Sequence, residues 1–301
     1  MKILKFGGTS VGSVSSIRTL LEIVKKEIKT GQNPVLVLSA MSGITNLLSK
    51  MADQAANGQS YVQELKDLEA RHFDVIKVLI DTQRQNPIFT KLKLLFNELE
   101  DILQGVQAIA ELTPRTRDLI LSFGERCSAY MLSKIAEETI PEALFTDSSL
   151  LIKTDSAFGQ AKVDTALTEQ LIQDYVQQNM GKVLFVTGFI ASNAEGRITT
   201  LGRGGSDYTA AILGAALNAE EIQIWTDVNG LMTADPRIVK KAFSVPELSY
   251  TEAMELSFFG AKVIYPPTMI PAFLKQIPIV IKNTFEPDFA GTVIRAKANS
   301  S

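Results

Sequence analysis

Several residue types that define whole classes of protein are scarce in this 301-residue sequence. Its one cysteine, Cys127, has no partner within the chain, which excludes an internal disulfide and is typical of a reducing compartment. Its one histidine, His72, lies at the edge of a predicted helical stripe, where a place on the helix face is favoured over catalysis. A Ser-His-Asp mechanism could use no other histidine and is therefore excluded.

Long apolar runs and an excess of charge of one sign are also absent. No run approaches the ~18 residues needed to span a bilayer, and no apolar segment follows the basic start as in a secretory signal. The chain has 30 Lys and Arg against 33 Asp and Glu, a net charge of -3, which argues against nucleic acid as a partner. We expect a cytoplasmic protein without nucleic-acid or membrane partners.

The composition, 46% hydrophobic and 21% charged, is that of a globular chain with a sizeable core. Short apolar runs rich in β-branched and aromatic residues predict strands at Ile3 to Phe6, Pro34 to Ser39, Leu144 to Thr146, Val183 to Phe189, Ile222 to Thr226 and Ile277 to Ile281. Helical spacing lies between them, and residues 44 to 139 form a helical insertion with expected breaks at Gly58, Pro87 and Thr113-Pro114. This alternation predicts an α/β fold with a largely parallel sheet covered on both faces. We expect one domain of two lobes, divided near residues 196 to 206.

The opening stretch, KFGGTSVGSVSSIRTL at residues 5 to 20, places two glycines between a strand and a helix. Small residues there bring backbone N–H groups close to an anion, and Lys5 would add a positive charge beside it. A tight turn with a solvated lysine is the simpler alternative. The glycines do not fit G-x-G-x-x-G, and no G-x-x-x-x-G-K-[ST] motif occurs, which disfavours dinucleotide binding and a P-loop.

A second glycine-rich stretch, TTLGRGGSDYTAAIL at residues 199 to 213, surrounds Arg203 with three glycines before an apolar helix. An arginine there can clamp a carboxylate or a phosphate through two hydrogen bonds. Asp207 can cap the helix or face a cationic or magnesium-bearing ligand. An ordinary N-cap would explain Asp207 but not three glycines around one arginine, so a binding site is favoured.

Two other stretches each allow two interpretations. IWTDVNGLMTADPR, residues 224 to 237, follows a predicted strand, and loops at the carboxyl ends of parallel strands bind ligands, although a surface turn fits equally. LSFGERCSAYM, residues 121 to 131, puts Glu125 on an otherwise apolar helix, where a buried carboxylate would need a partner. An exposed Glu125–Arg126 pair is the usual alternative and is favoured from the pattern.

Together and in this order, these stretches resemble the aspartokinases of the amino acid kinase family. The matching segments span nearly the whole chain: KFGGTSV at 5 to 11, LSAMSGITNLL at 38 to 48, LSFGER at 121 to 126, GFIAS at 188 to 192, TTLGRGGSDYTAA at 199 to 211, WTDVNGLMTADPR at 225 to 237, FGAKVIYP at 259 to 266 and IKNTFEP at 281 to 287. The first segment and the RGGSD segment are specific to this family. The closing segment is most similar to the kinase portion of bifunctional aspartokinase/homoserine dehydrogenases.

The resemblance implies a fold and a division of labour within it. The fold would be a three-layer α/β/α sandwich with a mainly parallel sheet and two lobes. The N-lobe, about residues 1 to 200, would hold aspartate, and the C-lobe, about residues 201 to 301, would hold the nucleotide. Residues 1 to 301 would form one amino acid kinase catalytic domain without the regulatory domains that follow it in many aspartokinases.

The resemblance also assigns roles to individual residues. The transferring phosphoryl group would be held by Lys5, Gly7 and Gly8, with Asp207 beside them as a further catalytic residue that lines the aspartate site. The aspartate site would consist of Ser39, Thr45, Glu125, Phe189, Arg203 and Ser206. The nucleotide would contact Thr226, Asp227, Met232, Arg237 and Lys262. Met232 stands where these kinases usually have an aromatic residue, and Tyr265 stands where histidine is frequent.

The implied reaction is ATP-dependent phosphorylation of the side-chain carboxylate of L-aspartate to 4-phospho-L-aspartate, the first step towards lysine, threonine and methionine. A carboxylate with a reference pKa of about 3.9 is ionised at neutral pH, so no general base is required. Mg2+, bound mainly through ATP phosphates and water, would neutralise charge together with Lys5 and the N–H groups of the glycine turn. A homodimer, weakened by the missing regulatory domains, is expected.

Two alternatives to aspartate phosphorylation stay open at this point. The first is a kinase for another small acid, such as glutamate or acetylglutamate, because the length of the acid cannot be read from the sequence. The second is a catalytically silent sensor of an amino acid or a nucleotide. The presence of Lys5, Arg203 and Asp207 together argues against the sensor.

Overall fold

The computed structural model describes residues 1–234, 239, 241–258 and 265–296, in which strands and helices alternate. The strands within these ranges are β1 (Lys2–Phe6), β2 (Val35–Leu38), β3 (Ala143–Thr146), β4 (Lys153–Thr154), β5 (Val183–Thr187), β6 (Ile190–Asn193), β7 (Ile198–Thr200), β8 (Glu221–Thr226), β9 (Glu247–Ser249), β10 (Ile279–Asn283) and β11 (Thr292–Arg295). The helices are α1 (Val14–Ile28), α2 (Ile44–Ala56), α3 (Val62–Leu79), α4 (Thr82–Ile109), α5 (Pro114–Ala136), α6 (Thr165–Gln178), α7 (Gly205–Ala216), α8 (Tyr250–Phe258) and α9 (Ile270–Leu274).

The described strands form one large sheet and one small one. The large sheet has eight strands in the order β3-β5-β2-β1-β8-β10-β11-β9. Its neighbours run parallel except β10 and β11, which are antiparallel. Strands β4, β6 and β7 form the small sheet. The largely parallel sheet predicted from the continuous apolar runs is therefore confirmed.

The large sheet separates two apolar layers, because successive side chains of a strand point to opposite faces. Leu4 and Phe6 of β1 belong to a buried cluster that includes side chains of helices α1 to α5. Ile3 belongs to a second cluster, which includes side chains of helices α6 to α9. The same alternation directs Lys5 to the face that carries Ile3 and α7.

The helical insertion predicted at residues 44 to 139 consists of helices α2 to α5. The expected break at Pro87 is wrong, because Pro87 lies inside α4. A proline in a helix interior costs about 3 kcal/mol. The face of α4 that buries Leu92, Phe96 and Leu103 offsets this cost, since each such side chain contributes about 1.5–3 kcal/mol when buried.

His72 is a core residue of this insertion and not the helix-edge residue that the pattern predicted. Its side chain is fully buried, with its ring centroid 5.6 Å from that of Phe96 in an edge-on contact. Nδ1 lies 2.8 Å from the carbonyl oxygen of Leu68. Burial lowers the pKa of His72 to about 4, so the ring is neutral near pH 7.

The single cysteine is also buried, in α5, where it forms no disulfide. Burial raises the pKa of the Cys127 thiol to about 12, so it stays protonated at neutral pH. Among the described helices, none is both long and apolar enough to cross a membrane.

Candidate active site

A cleft of about 860 Å3 opens where the carboxyl ends of four parallel strands meet. Gly7 and Gly8 follow β1, Ser39 follows β2, Phe189 lies beyond the end of β5, and Thr226 ends β8. The chain order reverses about β1, a switch point of the kind where open α/β sheets bind ligands. The predicted site residues that line the cleft are Lys5, Gly7, Gly8, Ser39, Thr45, Glu125, Phe189, Arg203, Ser206, Asp207, Thr226 and Asp227.

Lys5 is held on one wall of the cleft by an ion pair. It lies between Leu4 and Phe6 in β1, so its side chain points to the opposite face, towards α7. Its Nζ lies 2.6 Å from Oδ1 of Asp207, and the two side chains are 11% and 14% exposed. The simpler interpretation of Lys5 as a solvated lysine is wrong, because its side chain is ion-paired and largely buried. The interpretation of Asp207 as the helix cap is also wrong, because Gly204 occupies the capping position of α7.

The turn after β1 is tied to the neighbouring strands. The N–H of Gly7 and the hydroxyl of Ser10 both donate to the carbonyl oxygen of Trp225, at 2.9 and 3.3 Å. The hydroxyl of Thr284, in the IKNTFEP segment, lies 2.6 Å from that of Ser10. The N–H of Gly7 is already bonded, whereas those of Gly8 and Thr9, which line the cleft, have no acceptor among the described residues and can donate to a ligand.

Gly8 is required by space, because the turn after β1 passes close to the loop after β2. A Cβ at Gly8 would lie 3.0 Å from the carbonyl oxygen of Ala40 and 3.2 Å from the backbone nitrogen of Ser42. The carbonyl oxygen of Gly8 accepts the N–H of Ser42 at 3.0 Å, which fixes the two loops together. A larger residue would displace one loop from the other.

Two helices present uncapped N-termini to the cleft. Helices α2 and α7 begin after Gly43 and Gly204, whose φ angles are 79° and 71°, and within the described residues neither makes a side-chain capping bond. Four other helices, whose first residues lie outside the cleft lining, are capped instead by the side chains of Ser13, Asp81, Thr113 and Asp164. Free N–H groups at the positive end of a helix dipole favour an anion. The cleft therefore offers two sites for negative groups.

Glu125, on α5, forms a second wall of the cleft and is buried, so the predicted surface pair with Arg126 is wrong. Its exposed fraction is 3%, and Arg126 pairs with Glu98 instead. Oε1 accepts the N–H of Ala40 at 3.1 Å, whereas Oε2 has no hydrogen-bond partner among the described residues. Burial raises the pKa of Glu125 to about 8, although the Ala40 N–H and the charge of Lys5 act against the rise. The unsatisfied oxygen suits a cationic group of a ligand.

Phe189 and Arg203 shape the wall beside α7. Phe189 has a φ of 68°, which is unusual for a residue other than glycine and is typical of functional sites. A Cβ at Gly205 would lie 2.6 Å from the Phe189 ring, so this ring packs on the first turn of α7. Arg203 is exposed in the loop before α7, with its guanidinium carbon 5.6 Å from the ring centroid of Tyr265.

The residues predicted to contact a nucleotide are only partly brought together. Thr226 and Asp227 line the cleft, and the hydroxyl of Thr226 donates to Asp227 at 3.2 Å. Met232 is half-buried outside the cleft lining and forms an isolated bridge with Ser244. Arg237 and Lys262 lie outside the described residues. Within the part of the chain that the structure describes, no three His, Cys, Asp or Glu side chains form a group that could hold a metal ion.

Several cleft residues were missed by the sequence analysis, among them Asn46, Arg117, Asp118, Gly159 and Thr200. Asp118 is the most deeply buried charged residue of this group, at 1% exposure. A signal for it existed, because Asp118 precedes Glu125 by two helical turns and so shares its face of α5. A second acidic residue on one apolar helix face is the pattern that would have predicted it.

The chain is similar to known proteins over nearly its whole length. Residues 1–283 match the profile of the Amino acid kinase family. The chain is 34% identical over 304 residues to the lysine-sensitive aspartokinase 3 of Escherichia coli (strain K12), covering 99% of this chain and 65% of that protein. It is 35% identical over 292 residues to the chloroplastic bifunctional aspartokinase/homoserine dehydrogenase 2 of Arabidopsis thaliana, covering 96% and 32%. The chain thus spans less than two thirds of the length of either relative.

Solved structures of other proteins have a similar fold over nearly the whole chain. The crystal structure of E. coli aspartokinase III in complex with aspartate and ADP (R-state) superimposes with a TM-score of 0.89 at 31% identity, covering 100% of this chain and 65% of that chain. The UMP kinase of Bacillus anthracis, at 11% identity and a TM-score of 0.50, shares the fold alone. The three-layer fold implied by the sequence resemblance is confirmed.

Proposed function

Because this chain belongs to the amino acid kinase family, we propose that it transfers the γ-phosphoryl group of ATP to the side-chain carboxylate of L-aspartate. The product would be 4-phospho-L-aspartate, which begins the synthesis of lysine, threonine and methionine. The names of the relatives and the complex of the E. coli enzyme with aspartate and ADP support this choice. The observation that carries it is the unsatisfied Oε2 of buried Glu125 in the same cleft as the Lys5–Asp207 pair.

The Glu125 wall suits the amino acid. Its carboxylate would accept the α-ammonium of aspartate, which supplies the hydrogen-bond donor that Oε2 lacks. The guanidinium of Arg203 would bind the α-carboxylate in two-point fashion. The lining residues that would complete this side are Ser39, Thr45, Phe189 and Ser206. A substrate without an ammonium group would leave the buried carboxyl unpaired.

The Lys5 wall suits the phosphoryl group. Lys5 would bind an oxygen of the transferring group, while Asp207 holds the lysine in position at 2.6 Å. The N–H groups of Gly8 and Thr9, together with the uncapped start of α7, would donate to the other oxygens. Bound ATP would supply Mg2+ as a further counter-charge. The aspartate carboxylate attacks in its ionised form, so the chain needs to provide alignment and charge, and no base.

The nucleotide side of the proposal rests on fewer residues. Thr226 and Asp227 at the end of β8 would lie beside the ATP phosphates. Met232, Arg237 and Lys262 stay proposed nucleotide contacts. We propose on the same basis that the N-lobe, about residues 1 to 200, binds aspartate, with Arg203 and Ser206 contributing from the start of the C-lobe, and that the C-lobe, about residues 201 to 301, binds ATP.

A coupled assay of ADP release tests the function. Purified protein with MgATP is supplied in turn with L-aspartate, L-glutamate and N-acetylglutamate, and Glu125→Gln serves as the matched control. We expect turnover with L-aspartate that the variant loses at low substrate concentration. Faster turnover of L-glutamate or N-acetylglutamate would mean that this acid, and not L-aspartate, is the substrate. Binding of an amino acid without turnover would identify a sensor.

The cellular location and the oligomeric state of the enzyme are proposed on separate grounds. A cytoplasmic location is supported by the single cysteine, which is a free buried thiol and fits a reducing compartment. A homodimer is proposed from the family resemblance. Light scattering at several protein concentrations tests the dimer, which a constant monomer mass would contradict.

A further inference from the structure

We propose that Asp118 is a positioning residue that fixes the loop of Arg203 relative to Glu125, so that the α-carbon of the substrate is held in one place and acids with a longer side chain are disfavoured. This inference rests on the proposed function, in which Glu125 and Arg203 bind the two α-groups of the substrate and the reacting carboxylate faces Lys5. Asp118 is assigned to none of these groups, because its oxygens accept hydrogen bonds from the protein. Its support is the set of hydrogen bonds that converge on one buried carboxylate.

The carboxylate of Asp118 joins helix α5 to two separate segments. Oδ2 accepts the N–H of Gly159 at 2.8 Å and the N–H of Thr200 at 2.9 Å. Oδ1 accepts the hydroxyl of Thr200 at 2.8 Å. Both oxygens are therefore occupied by donors from the loop before α6 and from the end of β7.

No cation accompanies this buried charge among the described residues that contact it. The adjacent Arg117 turns away, donating to the hydroxyl of Ser49 at 3.0 Å and pairing with Asp53. Burying a carboxylate without a counter-ion is costly, and apolar side chains commonly stabilise a core as well as buried charges do. A role in stability alone is thus a poor reason for a carboxylate here, whereas a fixed geometry is a good one.

The bonded segments lead directly to the substrate-binding loop. Thr200 is followed within three residues by Arg203, and Gly159 lies against the same loop, since a Cβ at Gly202 would lie 3.2 Å from the Gly159 carbonyl oxygen. Glu125 lies on the same helix as Asp118, two turns further on. Helix α5 therefore carries both Glu125, which would bind the ammonium, and Asp118, which anchors the loop of Arg203.

A fixed position of the α-carbon discriminates by side-chain length, because the reacting carboxylate must reach the phosphoryl group on the Lys5 wall. An acid one methylene longer must either move its α-groups, which displaces the Arg203 loop, or misplace its reacting carboxylate, and Asp118 opposes the displacement. Releasing the anchor makes the loop adaptable, so the protein must order it when substrate binds. Aspartate then binds more weakly, while glutamate loses less, and the phosphoryl-transfer wall around Lys5 is unaffected.

The test compares Asp118→Asn, Thr200→Val and Thr200→Ser in the full chain. Asparagine keeps the size of the side chain but removes its charge and replaces the oxygen that accepts the Thr200 hydroxyl by an NH2, and valine removes only the hydroxyl donor. Asp164→Asn is the matched control, because Asp164 also accepts a backbone N–H but caps α6 outside the cleft lining. KM and kcat are measured with L-aspartate and L-glutamate, and calorimetry gives the affinity for L-aspartate and ADP.

We expect Asp118→Asn to raise KM for L-aspartate about tenfold, the loss of one to two charge-assisted hydrogen bonds, with kcat and ADP affinity kept within about threefold. The ratio of kcat/KM for L-aspartate to that for L-glutamate should fall. Thr200→Val should shift KM in the same direction by about threefold, and Thr200→Ser should restore it. Asp118→Asn combined with Thr200→Val should be no worse than Asp118→Asn alone, because both break the same link.

The outcomes separate this inference from the proposed function. A fall in kcat at unchanged KM, an unchanged selectivity ratio, or an equal effect of Asp164→Asn would overturn the positioning role. If Asp118→Asn does not fold, the contrast between Thr200→Val and Thr200→Ser decides the question. If the wild type turns over none of the acids, the proposed function fails, and calorimetry of L-aspartate and L-glutamate on the wild type and Thr200→Val still tests whether the anchored loop favours the shorter acid.

Discussion

Each wall of the cleft contains a buried carboxylate, but only one of the two carboxylates is paired with a cation of the protein. Asp207 lies 2.6 Å from the ammonium of Lys5, so its charge is balanced within the protein. Glu125 has one backbone donor and an oxygen without a partner among the described residues, and burial raises its pKa to about 8. The first wall keeps a positive charge in place. The second is incomplete until a cation binds, which is why we assign the phosphoryl group to one wall and the amino acid to the other.

The largest effect should come from removing the fixed charge. Lys5→Ala should lower kcat by ~100-fold or more, because a contact that strengthens as charge develops acts in the transition state. KM for L-aspartate should change little, since Lys5 belongs to the other wall. Steady-state kinetics check this, and a variant that keeps its kcat and only raises KM for L-aspartate would assign Lys5 to the amino-acid side.

Arg203→Lys should raise KM for L-aspartate by about 30-fold, because an ammonium keeps the charge but loses roughly 2 kcal/mol of two-point binding. Here the amino-acid wall is weakened while the Lys5–Asp207 pair stays intact, so kcat should be far less affected than in Lys5→Ala. Calorimetry with L-aspartate measures the loss directly. Near-normal binding would remove Arg203 from the site.

Glu125 should make aspartate binding depend on pH. Its carboxyl is largely protonated below pH 8 in the free protein, whereas an ammonium requires the ionised form. Affinity for L-aspartate should therefore rise as pH increases from 6 to 8, with proton release on binding. Glu125→Gln should lose about tenfold in affinity at pH 8 and this pH dependence, both measured by calorimetry in buffers of different ionisation enthalpy. A wild-type affinity that is flat over this range would contradict the assignment.

The same carboxyl should set a stability difference of predictable sign. Its folded pKa lies above the unfolded value of 4.5, so its contribution to stability is present below pH 4.5 and is lost as pH rises through about 8. Glutamine has no such loss. The melting temperature of Glu125→Gln relative to wild type should increase between pH 6 and 9, and a constant difference would show that Glu125 is already ionised.

The smallest effect should come from Met232, which lies outside the lining of the cleft. A thioether can pack on a purine ring, and a tyrosine would offer an aromatic face in its place. Met232→Tyr should therefore preserve ATP affinity or tighten it by about twofold. Titration with ADP checks this, and a collapse of affinity would mean that the loop after β8 is arranged differently from that of the family.

The sheet and the Lys5 wall could be predicted because local signals specify them. Continuous apolar runs predicted the buried strands, and the glycines after β1 marked a turn so close to the loop after β2 that a Cβ at Gly8 would lie 3.0 Å from the carbonyl oxygen of Ala40. Alternation in β1 then determines the face on which Lys5 lies. Such features depend on a few residues that are adjacent in sequence.

The Glu125 wall could not be predicted in the same way, because it depends on what packs against α5. The sequence Glu125–Arg126 is typical of an ion pair on the surface. The carboxyl of Glu125 is buried because the loop that contains Ala40 packs against it. His72 and Pro87 were misjudged for the same reason, since neighbouring helices bury the one and outweigh the other. Asp118 depends on donors 41 and 82 residues away in sequence.

The most direct measurement is the trapping of the product with hydroxylamine. If the two walls hold ATP and aspartate as proposed, incubation with MgATP and L-aspartate yields an acyl phosphate, which hydroxylamine converts to aspartyl hydroxamate. We predict hydroxamate in equal amount to the ADP released, with the wild type and not with Lys5→Ala. ADP release without hydroxamate, or hydroxamate formed only with another acid, would contradict aspartate phosphorylation in this cleft.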